Sequence, residues 1–363
     1  MAFRRPIIDN QTKLTLDKLP NDSISQITWS QTSEPLLLAA GSWDRTLRIW
    51  SFKNSPSSEL TADLICTFKQ NEPILCSTFT NVRPGCDSVK LFGGGCNGVV
   101  LMYDLKKASP HGMLIARHDQ PIMGVHWSPK FKLLMTCGWD GNVRAWDGRQ
   151  QGPVWSENVG SKIFASDFKN NVLCVADGLK KLSAWNLENI QNPQNKIVIE
   201  TSLKLKTKSI AIFPELLGTK GVVCGSIGGR CSVNYFMEQD RKGNFSYKCH
   251  RQDQPGRGTQ TFPVNAIDFH DKYGTFITGG GDGTFTVWDK DNKTKVKTFN
   301  NVNAPVVDIK IMGENNLLAY ATSYDWEKGF NKALMKKTIR SIGIIKLKEE
   351  DVKTKPKFLV GRR

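Results

Sequence analysis

Six turns rich in Gly, Asp or Asn recur along the chain, and an aromatic residue follows six positions after each turn. Successive aromatic residues are 39 to 53 positions apart, and they are Trp50, Tyr103, Trp146, Trp185, Tyr235 and Trp288. A period of about 40 to 50 residues is typical of propeller blades, each a sheet of four short strands. This repeat restricts the fold more than any other feature, because a chain of 363 residues forms a single domain most readily by repetition.

Each repeat also opens with a short strand of alternating apolar residues. These segments are ISQITW, ILCSTF, IMGVHW, KIFASDF, KSIAIF, VNAIDF and VVDIKI. The last of them begins a seventh, degenerate unit that runs through LLAYATSYDWEKG and closes with TIRSIGIIKL. Short strands between Gly and Asp turns, with almost no helical periodicity, indicate an all-β chain. The sequence therefore predicts a seven-bladed β-propeller.

The propeller is expected to span residues 21–348, between an N-terminal arm at 1–20 and a basic C-terminal tail at 349–363. The arm contains TKLTL at 12–16, which is the candidate strand to complete the last blade. Without such a strand the blade would expose an unpaired edge that invites aggregation. The segment 346–363 has the charge pattern of a disordered terminus.

The third repeat carries four side chains at informative spacings: His118, Thr136, Asp140 and Trp146. In this respect the chain resembles the WD-repeat family, in which such a set forms a hydrogen-bond network between a turn and the strands beneath it. Most other repeats lack the histidine. The resemblance implies a seven-bladed WD-repeat β-propeller whose turns between second and third strands crowd one face, where partners dock.

The charge balance favours an acidic partner. Lys and Arg number 50 against 34 Asp and Glu, which gives a formal net charge of +16. A field of this sign attracts nucleic acid or an acidic peptide. The alternative is a solvated basic surface with part of its charge in the tail.

Several function classes lack support in the sequence. No apolar run is long enough for a membrane span, and no secretory signal is expected at the N-terminus. The nine cysteines are interpreted as reduced thiols of an intracellular protein, and the histidines show no metal spacing. GGGCNG at 93–98 formally matches a phosphate-binding motif, but it lies between two strands. We expect a non-enzymatic protein with no cofactor, metal, small-molecule substrate or membrane contact.

Large aromatic residues stand in three of the turns that join second to third strands, where small or polar residues are the rule. They are Trp43, Trp139 and the pair Tyr324 and Trp326. Arg45 and Arg230 lie at neighbouring turn positions. Trp, Tyr and Arg on one rim are typical of binding hot spots. The alternative is that each ring covers the edge of the next blade's core.

Four longer segments indicate which branch of the WD-repeat family the chain resembles. GSIGGRCSVNY (225–235), FSYKCHR (245–251), FPVNAIDFHDKYGTFITGGGDGTFTVWDKDNKTK (262–295) and SYDW (323–326) resemble the nuclear mRNA export factors, a family of pore-associated WD-repeat propellers. Its members bind GLEBS, a short hairpin of an FG nucleoporin, on the propeller face, and are associated with RNA. The resemblance implies that Arg230 binds a glutamate of the hairpin, with Lys248 and Arg251 beside it. It also implies a nuclear protein at the nuclear envelope and pore that shuttles to the cytoplasm.

The resemblance leaves two other functions open: a mitotic-checkpoint adaptor that binds the GLEBS motifs of checkpoint kinases, and a general RNA-binding propeller. Lys290, Lys293 and Lys295 are the candidate RNA contacts, with the Trp288 ring near a base or, alternatively, in the blade core. The two glycines before Arg230 predict a turn that is flexible unless bound. Residues 251–262 are expected to form a loop, and the segment at 327–346 departs from the family pattern.

Overall fold

The structure is a computed structural model that describes residues 13–31, 35–54, 60–80, 88–107, 109–189, 196–214, 220–256 and 258–354. The described residues form seven four-stranded antiparallel sheets and one separate two-stranded hairpin. The first strand of each sheet contacts the first strand of the next, and the seventh returns to the first. The sheets are therefore the blades of a seven-bladed β-propeller, and the predicted all-β WD-repeat fold is confirmed.

The strands follow one another around the ring in chain order. After β1 (Lys13–Thr15), blades 1 to 3 contain β2 (Ile24–Trp29), β3 (Leu36–Ser42), β4 (Thr46–Asn54), β5 (Leu60–Lys69); β6 (Ile74–Phe79), β7 (Lys90–Gly95), β8 (Val99–Asp104), β9 (Met113–Arg117); and β10 (Ile122–Ser128), β11 (Leu133–Gly138), β12 (Asn142–Trp146), β13 (Pro153–Asn158). Blades 4 and 5 contain β14 (Ile163–Lys169), β15 (Val172–Asp177), β16 (Lys181–Asn186), β17 (Ile197–Glu200); and β18 (Thr207–Ile212), β19 (Gly221–Ser226), β20 (Arg230–Tyr235), β21 (Phe245–Lys248).

The hairpin and the last two blades complete the chain. They contain β22 (Arg251–Gln254), β23 (Gly258–Thr261); β24 (Val264–Phe269), β25 (Phe276–Gly280), β26 (Phe285–Asp289), β27 (Thr294–Thr298); and β28 (Val306–Met312), β29 (Leu317–Thr322), β30 (Ser341–Lys346). The helices in the described residues are 3-10 turns at Leu187–Asn189 and Glu238–Gly243, α1 (Lys332–Lys337) and α2 (Glu349–Val352). No helix in these described ranges is long and apolar enough to cross a membrane.

Hydrogen bonds from side chains join each blade to the next. The carboxylates of Asp167 and Asp268 accept the backbone N–H groups of Ile212 and Ile311, at 2.7 and 2.6 Å, across the junctions between blades 4 and 5 and between blades 6 and 7. The remaining junctions within the chain order use Gln26, Cys76, His126 and Ser209. Apart from the bond between the side chains of His126 and Ser166, these bonds satisfy backbone groups that would otherwise be buried without a partner.

Blade 7 closes the ring onto blade 1. Asp308 accepts the Ile27 N–H at 2.8 Å, and the Trp29 indole N–H donates to the Lys310 carbonyl at 3.1 Å. The strand β1 pairs antiparallel with β30, with Leu14 opposite Ile344. The N-terminal part of the chain thus supplies the outer strand of the last blade and covers its edge.

The aromatic residue of the repeat lies in the apolar core between blades. Trp50 and Tyr103 are 1% exposed, and Trp185 is 4% exposed. The Trp50 indole N–H donates to the Asp17 carbonyl at 3.1 Å. Burying a large side chain of this kind contributes about 1.5 to 3 kcal/mol, so the repeated aromatic is a stability element.

Two blades carry the histidine network. In blade 3, His118 contacts Asp140 at 3.0 Å and Thr136 at 2.7 Å, and Trp146 donates to the same threonine at 2.8 Å. Blade 6 repeats this arrangement with His250, Asp282, Thr278 and Trp288, with contacts of 2.9 Å. The sequence pattern did not reveal the second set. His250 precedes its aspartate by 32 residues instead of 22, because the hairpin β22 and β23 is inserted after the histidine.

Two expectations about irregular segments were wrong. The segment at 251–262 contains a paired hairpin, not a structureless loop. The segment expected to be disordered from residue 346 instead forms the helix α2, in which Val352 is 0% exposed. Apolar burial of Val352 and the bond from the Lys297 ammonium to Asp351 at 2.7 Å explain this order. Residues 355–363 of the predicted tail lie outside the described part of the chain.

Candidate functional site

The upper face is defined here as the end of the propeller that carries the turns between the second and third strands of the blades. One residue of each such turn in blades 1 to 6 has a positive φ, which glycine adopts most easily: Arg45, Gly98, Gly141, Lys180, Gly229 and Gly283. Arg45 has φ 69° and is exposed. Blade 1 thus places a charged side chain where four of the six turns have glycine, at a conformational cost of about 1 kcal/mol.

Asp44 fixes the turn that presents Trp43. Its carboxylate accepts the backbone N–H groups of Asn21 at 2.8 Å and Thr46 at 2.9 Å, and the Thr46 hydroxyl at 2.6 Å. Burial by itself raises the pKa of Asp44, but these hydrogen bonds outweigh it and hold the pKa below its usual value. The backbone N–H of Trp43 donates to the Ser23 carbonyl at 3.0 Å. The ring therefore projects from a backbone that is bonded on both sides.

Four aromatic rings from blades 7 and 1 form what we call the upper aromatic cluster: Trp43, Tyr324, Trp326 and Phe330. The centroids of Trp43 and Trp326 are 4.7 Å apart, and Trp326 lies 5.9 Å from Tyr324 and 6.4 Å from Phe330. Tyr324 is 6% exposed, and its hydroxyl donates a hydrogen bond to the Gly329 carbonyl, so it is the buried member of the cluster. Phe330, which the sequence analysis did not single out, is 75% exposed.

Trp326 has an unusual environment within this cluster. Its φ of 60° is left-handed, a conformation that is strained for a large side chain. Its indole nitrogen is buried and has no hydrogen-bond partner among the described residues. A strained backbone and an unsatisfied buried donor both cost stability, and native proteins retain them mainly at functional sites.

Trp139 lies in a second group on the upper face, between blades 3 and 4. Its ring is 6.3 Å from Phe164, and the Lys162 ammonium lies 5.2 Å from the Trp139 centroid. Lys206 similarly lies over Phe164. The structure thus separates Trp139 from the Trp43 cluster and surrounds it with lysines that the sequence analysis did not select.

Arg230, Lys248 and Arg251 form the third group, at blade 5. Arg230 and Lys248 are directly opposite each other on β20 and β21. Arg251 donates from Nε to the Gly229 carbonyl at 3.0 Å and from Nη2 to the Gly228 carbonyl at 3.1 Å. The expected flexible turn before Arg230 is therefore held in place. Arg251 positions this turn, while Lys248 is exposed.

A lysine connects blade 5 with blade 7 across the mouth of the channel. Lys208, near the start of β18, donates to the Asp325 carbonyl at 3.4 Å, and Asn265 donates to the Asp325 carboxylate at 3.3 Å. Burial lowers the pKa of Lys208, although Asp325 and Glu327 oppose this. The contact ties the segment that bears Trp326 to the blade that bears Arg230.

The predicted RNA contacts Lys290, Lys293 and Lys295 do not lie on the upper face. They belong to the turn between β26 and β27, the third and fourth strands of blade 6, and to the start of β27. The prediction that Lys290 is a surface contact is wrong: it is 5% exposed, 4.8 Å from the Phe213 centroid, and it contacts Asp291 at 2.5 Å. Lys293 and Lys295 are exposed. Trp288 has the blade-core position, since its indole N–H donates to Thr278.

Metal binding finds no support in this geometry. Within the described ranges, no three His, Cys, Asp or Glu side chains are arranged to hold a metal ion. What the upper face offers instead is aromatic surface beside basic side chains.

Comparison with known proteins adds to this geometry. The WD domain, G-beta repeat family matches residues 14–51, 110–147 and 252–289. The WD40 repeat protein poxJ of Penicillium oxalicum is 33% identical over 333 residues, which cover 89% of this chain and 92% of that protein. Protein RAE1 of Arabidopsis thaliana is 32% identical over 346 residues, covering 95% and 93% of the two chains. The mRNA export factor of Danio rerio is 33% identical over 317 residues, covering 85% and 83%.

These relatives are similar over most of their own length and over most of this chain, so the likeness is not confined to isolated repeats. The chain belongs to the family of WD40-repeat proteins that includes Protein RAE1 and the mRNA export factors.

Proposed function

We propose that this protein is a non-enzymatic adaptor of mRNA export that docks the GLEBS hairpin of an FG nucleoporin on its upper face. The observation that carries the proposal is the contact between the Trp43 and Trp326 rings beside the exposed Arg45. Relatives named as mRNA export factors and as a poly(A)+ RNA export protein support the export role. On this proposal the protein acts in the nucleus and at the nuclear pore, and it shuttles to the cytoplasm with the export machinery.

The charge of the upper face suits an acidic hairpin. Arg230 and Lys248 lie opposite each other at the upper ends of β20 and β21, and the exposed Lys162 directly precedes β14. A guanidinium holds a carboxylate through two parallel hydrogen bonds, which an ammonium does not. The upper aromatic cluster supplies apolar contact, so the hairpin would be anchored by rings at blades 7 and 1 and by charge at blade 5.

A binding assay tests this proposal directly. Isothermal titration of a synthetic GLEBS hairpin is expected to give saturable binding to the wild-type protein. Trp43→Ala and Arg230→Ala should each weaken binding by at least about tenfold, and Arg230→Lys by a smaller factor. Lys53→Ala is the matched control, because Lys53 is exposed at the end of β4 far from the Trp43 turn. Unchanged binding of both alanine variants would show that the site assignment is wrong.

Two further measurements separate this proposal from a checkpoint adaptor and from a general RNA-binding propeller. A pull-down that recovers checkpoint kinases without nucleoporins would favour the checkpoint adaptor. For RNA, affinity for a single-stranded oligonucleotide should fall steeply with salt, whereas a hairpin complex anchored by buried rings should fall less. Lys293→Glu and Lys295→Glu, on exposed side chains, show whether the lower end of blade 6 contributes to such an RNA contact.

A further inference from the structure

An open apolar groove lies between blades 2 and 3 on the lower face, the end of the propeller opposite the Trp43 turn. The groove encloses about 450 Å³. Its floor contains Phe92 and Trp127, which stack with centroids 5.7 Å apart, and Met113 at its mouth is 54% exposed. A cavity of this size with an aromatic floor can take a bulky apolar side chain. We call it the lower groove.

The repeat of the fold allows a comparison with the same place between blades 6 and 7. Trp127 pairs with Leu134 in blade 3, and Ile311 pairs with Leu318 at the matching positions of blade 7. On the other wall, Phe92 pairs with Met102 in blade 2, as Ile277 pairs with Val287 in blade 6. The two gaps are therefore built from equivalent walls.

The gap between blades 6 and 7 is filled by the chain itself. Val352 of α2 is 0% exposed in the cluster that contains Ile277 and Leu318. Its carbonyl accepts the Thr275 hydroxyl at 2.6 Å, and the preceding Asp351 accepts the Lys297 ammonium at 2.7 Å. An acidic residue followed by an apolar one thus fills this kind of gap, with a lysine of the rim as the partner of the acid.

The rim of the lower groove has the charge to receive a similar segment. Lys90, Lys132 and Arg149 line it. Arg149 is already held by Asp147, whose carboxylate it contacts at 2.6 Å. No ion pair within the described ranges engages Lys90 or Lys132, and Lys132 is exposed. Two ammonium groups therefore remain beside an apolar floor that no described residue covers.

The charge also argues against the two terminal segments outside the described residues as the occupant. Residues 1–12 carry Arg4 and Arg5 with a single acid, Asp9. Residues 355–363 carry four basic residues and no acid. Like charges at a shared rim disfavour such contacts. An acidic segment of a partner protein is the occupant that this charge fits.

We infer that the lower groove docks a short acidic segment of a partner protein, in which an acidic residue directly precedes an apolar one. The apolar side chain packs on the stacked rings of Phe92 and Trp127, as Val352 packs in the gap between blades 6 and 7. The carboxylate pairs with Lys132 or Lys90 at the rim. This surface is distinct from the upper face, so a partner can bind there while the hairpin site is occupied.

Nuclear magnetic resonance of the full chain labelled at the methionine methyl groups tests this inference. The probe is the capped peptide LKEEDVK, which copies residues 347–353, and its neutral match is LKQQNVK. The acidic peptide should shift the methyl signals of Met102 and Met113 in a saturable manner. The variants Met102→Leu and Met113→Leu assign these signals.

Substitutions of the rim lysines show whether the lower groove selects an acidic segment or binds any apolar peptide. Lys132→Glu should weaken the acidic peptide by roughly fivefold or more, while Lys53→Glu, remote from the groove, should leave it unchanged. Lys90→Gln provides a second test at the other side of the rim. The inference is overturned if neither methyl signal moves at millimolar peptide, if the neutral peptide binds equally well, or if Lys132→Glu has no effect.

Discussion

The rings of Trp43 and Trp326 lie 4.7 Å apart, although they belong to the first and the last blade. Their contact bridges the seam at which the propeller closes. Trp326 reaches it through a left-handed backbone and a segment tied to blade 5 by Lys208. The two rings are therefore expected to act as one unit, both in the folded protein and in binding.

A double-mutant cycle measures this coupling. Trp43→Ala and Trp326→Ala should each weaken hairpin binding, and the double variant should lose less than the sum of the two effects, by about 0.5 to 1.5 kcal/mol. Titration calorimetry of the four proteins gives the coupling energy. Strictly additive losses would mean that each ring contacts the hairpin independently.

Replacement of Arg45 by glycine should separate stability from binding. Because φ at Arg45 is 69°, Arg45→Gly relieves backbone strain and is expected to raise the free energy of unfolding by up to about 1 kcal/mol. The same variant should weaken the hairpin complex. Lys180→Gly is the matched control, since Lys180 has φ 65° at the equivalent turn of blade 4. Urea unfolding and calorimetry should show a similar stability change for both variants but a loss of affinity for Arg45→Gly alone.

The histidine network of blade 6 should contribute to stability as that of blade 3 does. Thr278→Val removes the hydroxyl that contacts both His250 and Trp288, which leaves two buried polar groups without a partner. The expected cost is about 2 to 3 kcal/mol, seen as a lower unfolding temperature. Thr136→Val should have a comparable effect through His118 and Trp146. A silent Thr278→Val would indicate that water replaces the hydroxyl.

Stability at mildly acidic pH should depend on His126. Burial lowers the pKa of His126 from 6.5 to about 4, with Asp167 opposing this and Lys310 adding to it. Between pH 6.5 and 4 the unfolded chain binds a proton at this site and the folded protein does not, so the free energy of unfolding falls as the pH falls. His126→Gln, which can still bond Ser166, should remove about 2 kcal/mol of this dependence between pH 7 and 4.5.

Urea unfolding of wild type and His126→Gln at several pH values checks this prediction. Burial raises the pKa of Asp268 to about 6, although Lys310 and Lys169 oppose the shift. The folded protein therefore retains this proton between about pH 4 and 6 while the unfolded chain loses it, and stability falls as the pH rises. Because Asp268 titrates in both proteins, its contribution cancels in the difference between them, which isolates His126. Parallel pH profiles of wild type and variant would contradict the assignment.

The fold was predictable because its information is local and repeated. Each inner strand, such as ISQITW, carries its own alternation, and each repeat aromatic, such as Trp50, stands at a fixed distance from its turn. The second histidine network was not recognised because the inserted hairpin changes its spacing. Order in α2 was missed for a related reason: Val352 gains its stabilisation from blades that lie far away in the chain.

The candidate site was predictable only in part. The repeat identifies which residues occupy upper turns, and so selects Trp43, Trp139 and Trp326. It does not determine which of these rings meet, since that depends on the closure of the ring and on the φ at Trp326. The burial of Lys290 against Phe213 depends likewise on packing between blades 5 and 6, which a basic string such as WDKDNKTK does not reveal.

The bonds between blades have a consequence for assembly. Each blade bonds its successor on one side and its predecessor on the other, as Asp268 and Ile311 show, so the contact is head to tail in the manner of a cyclic oligomer. The return of blade 7 onto blade 1, through bonds such as those of Ile27 to Asp308 and Trp29 to Lys310, closes the series. A protein whose seam failed to shut would expose two complementary surfaces at once. Such a defect should yield open-ended polymers of otherwise intact blades, which is a hazard different in kind from simple loss of folding.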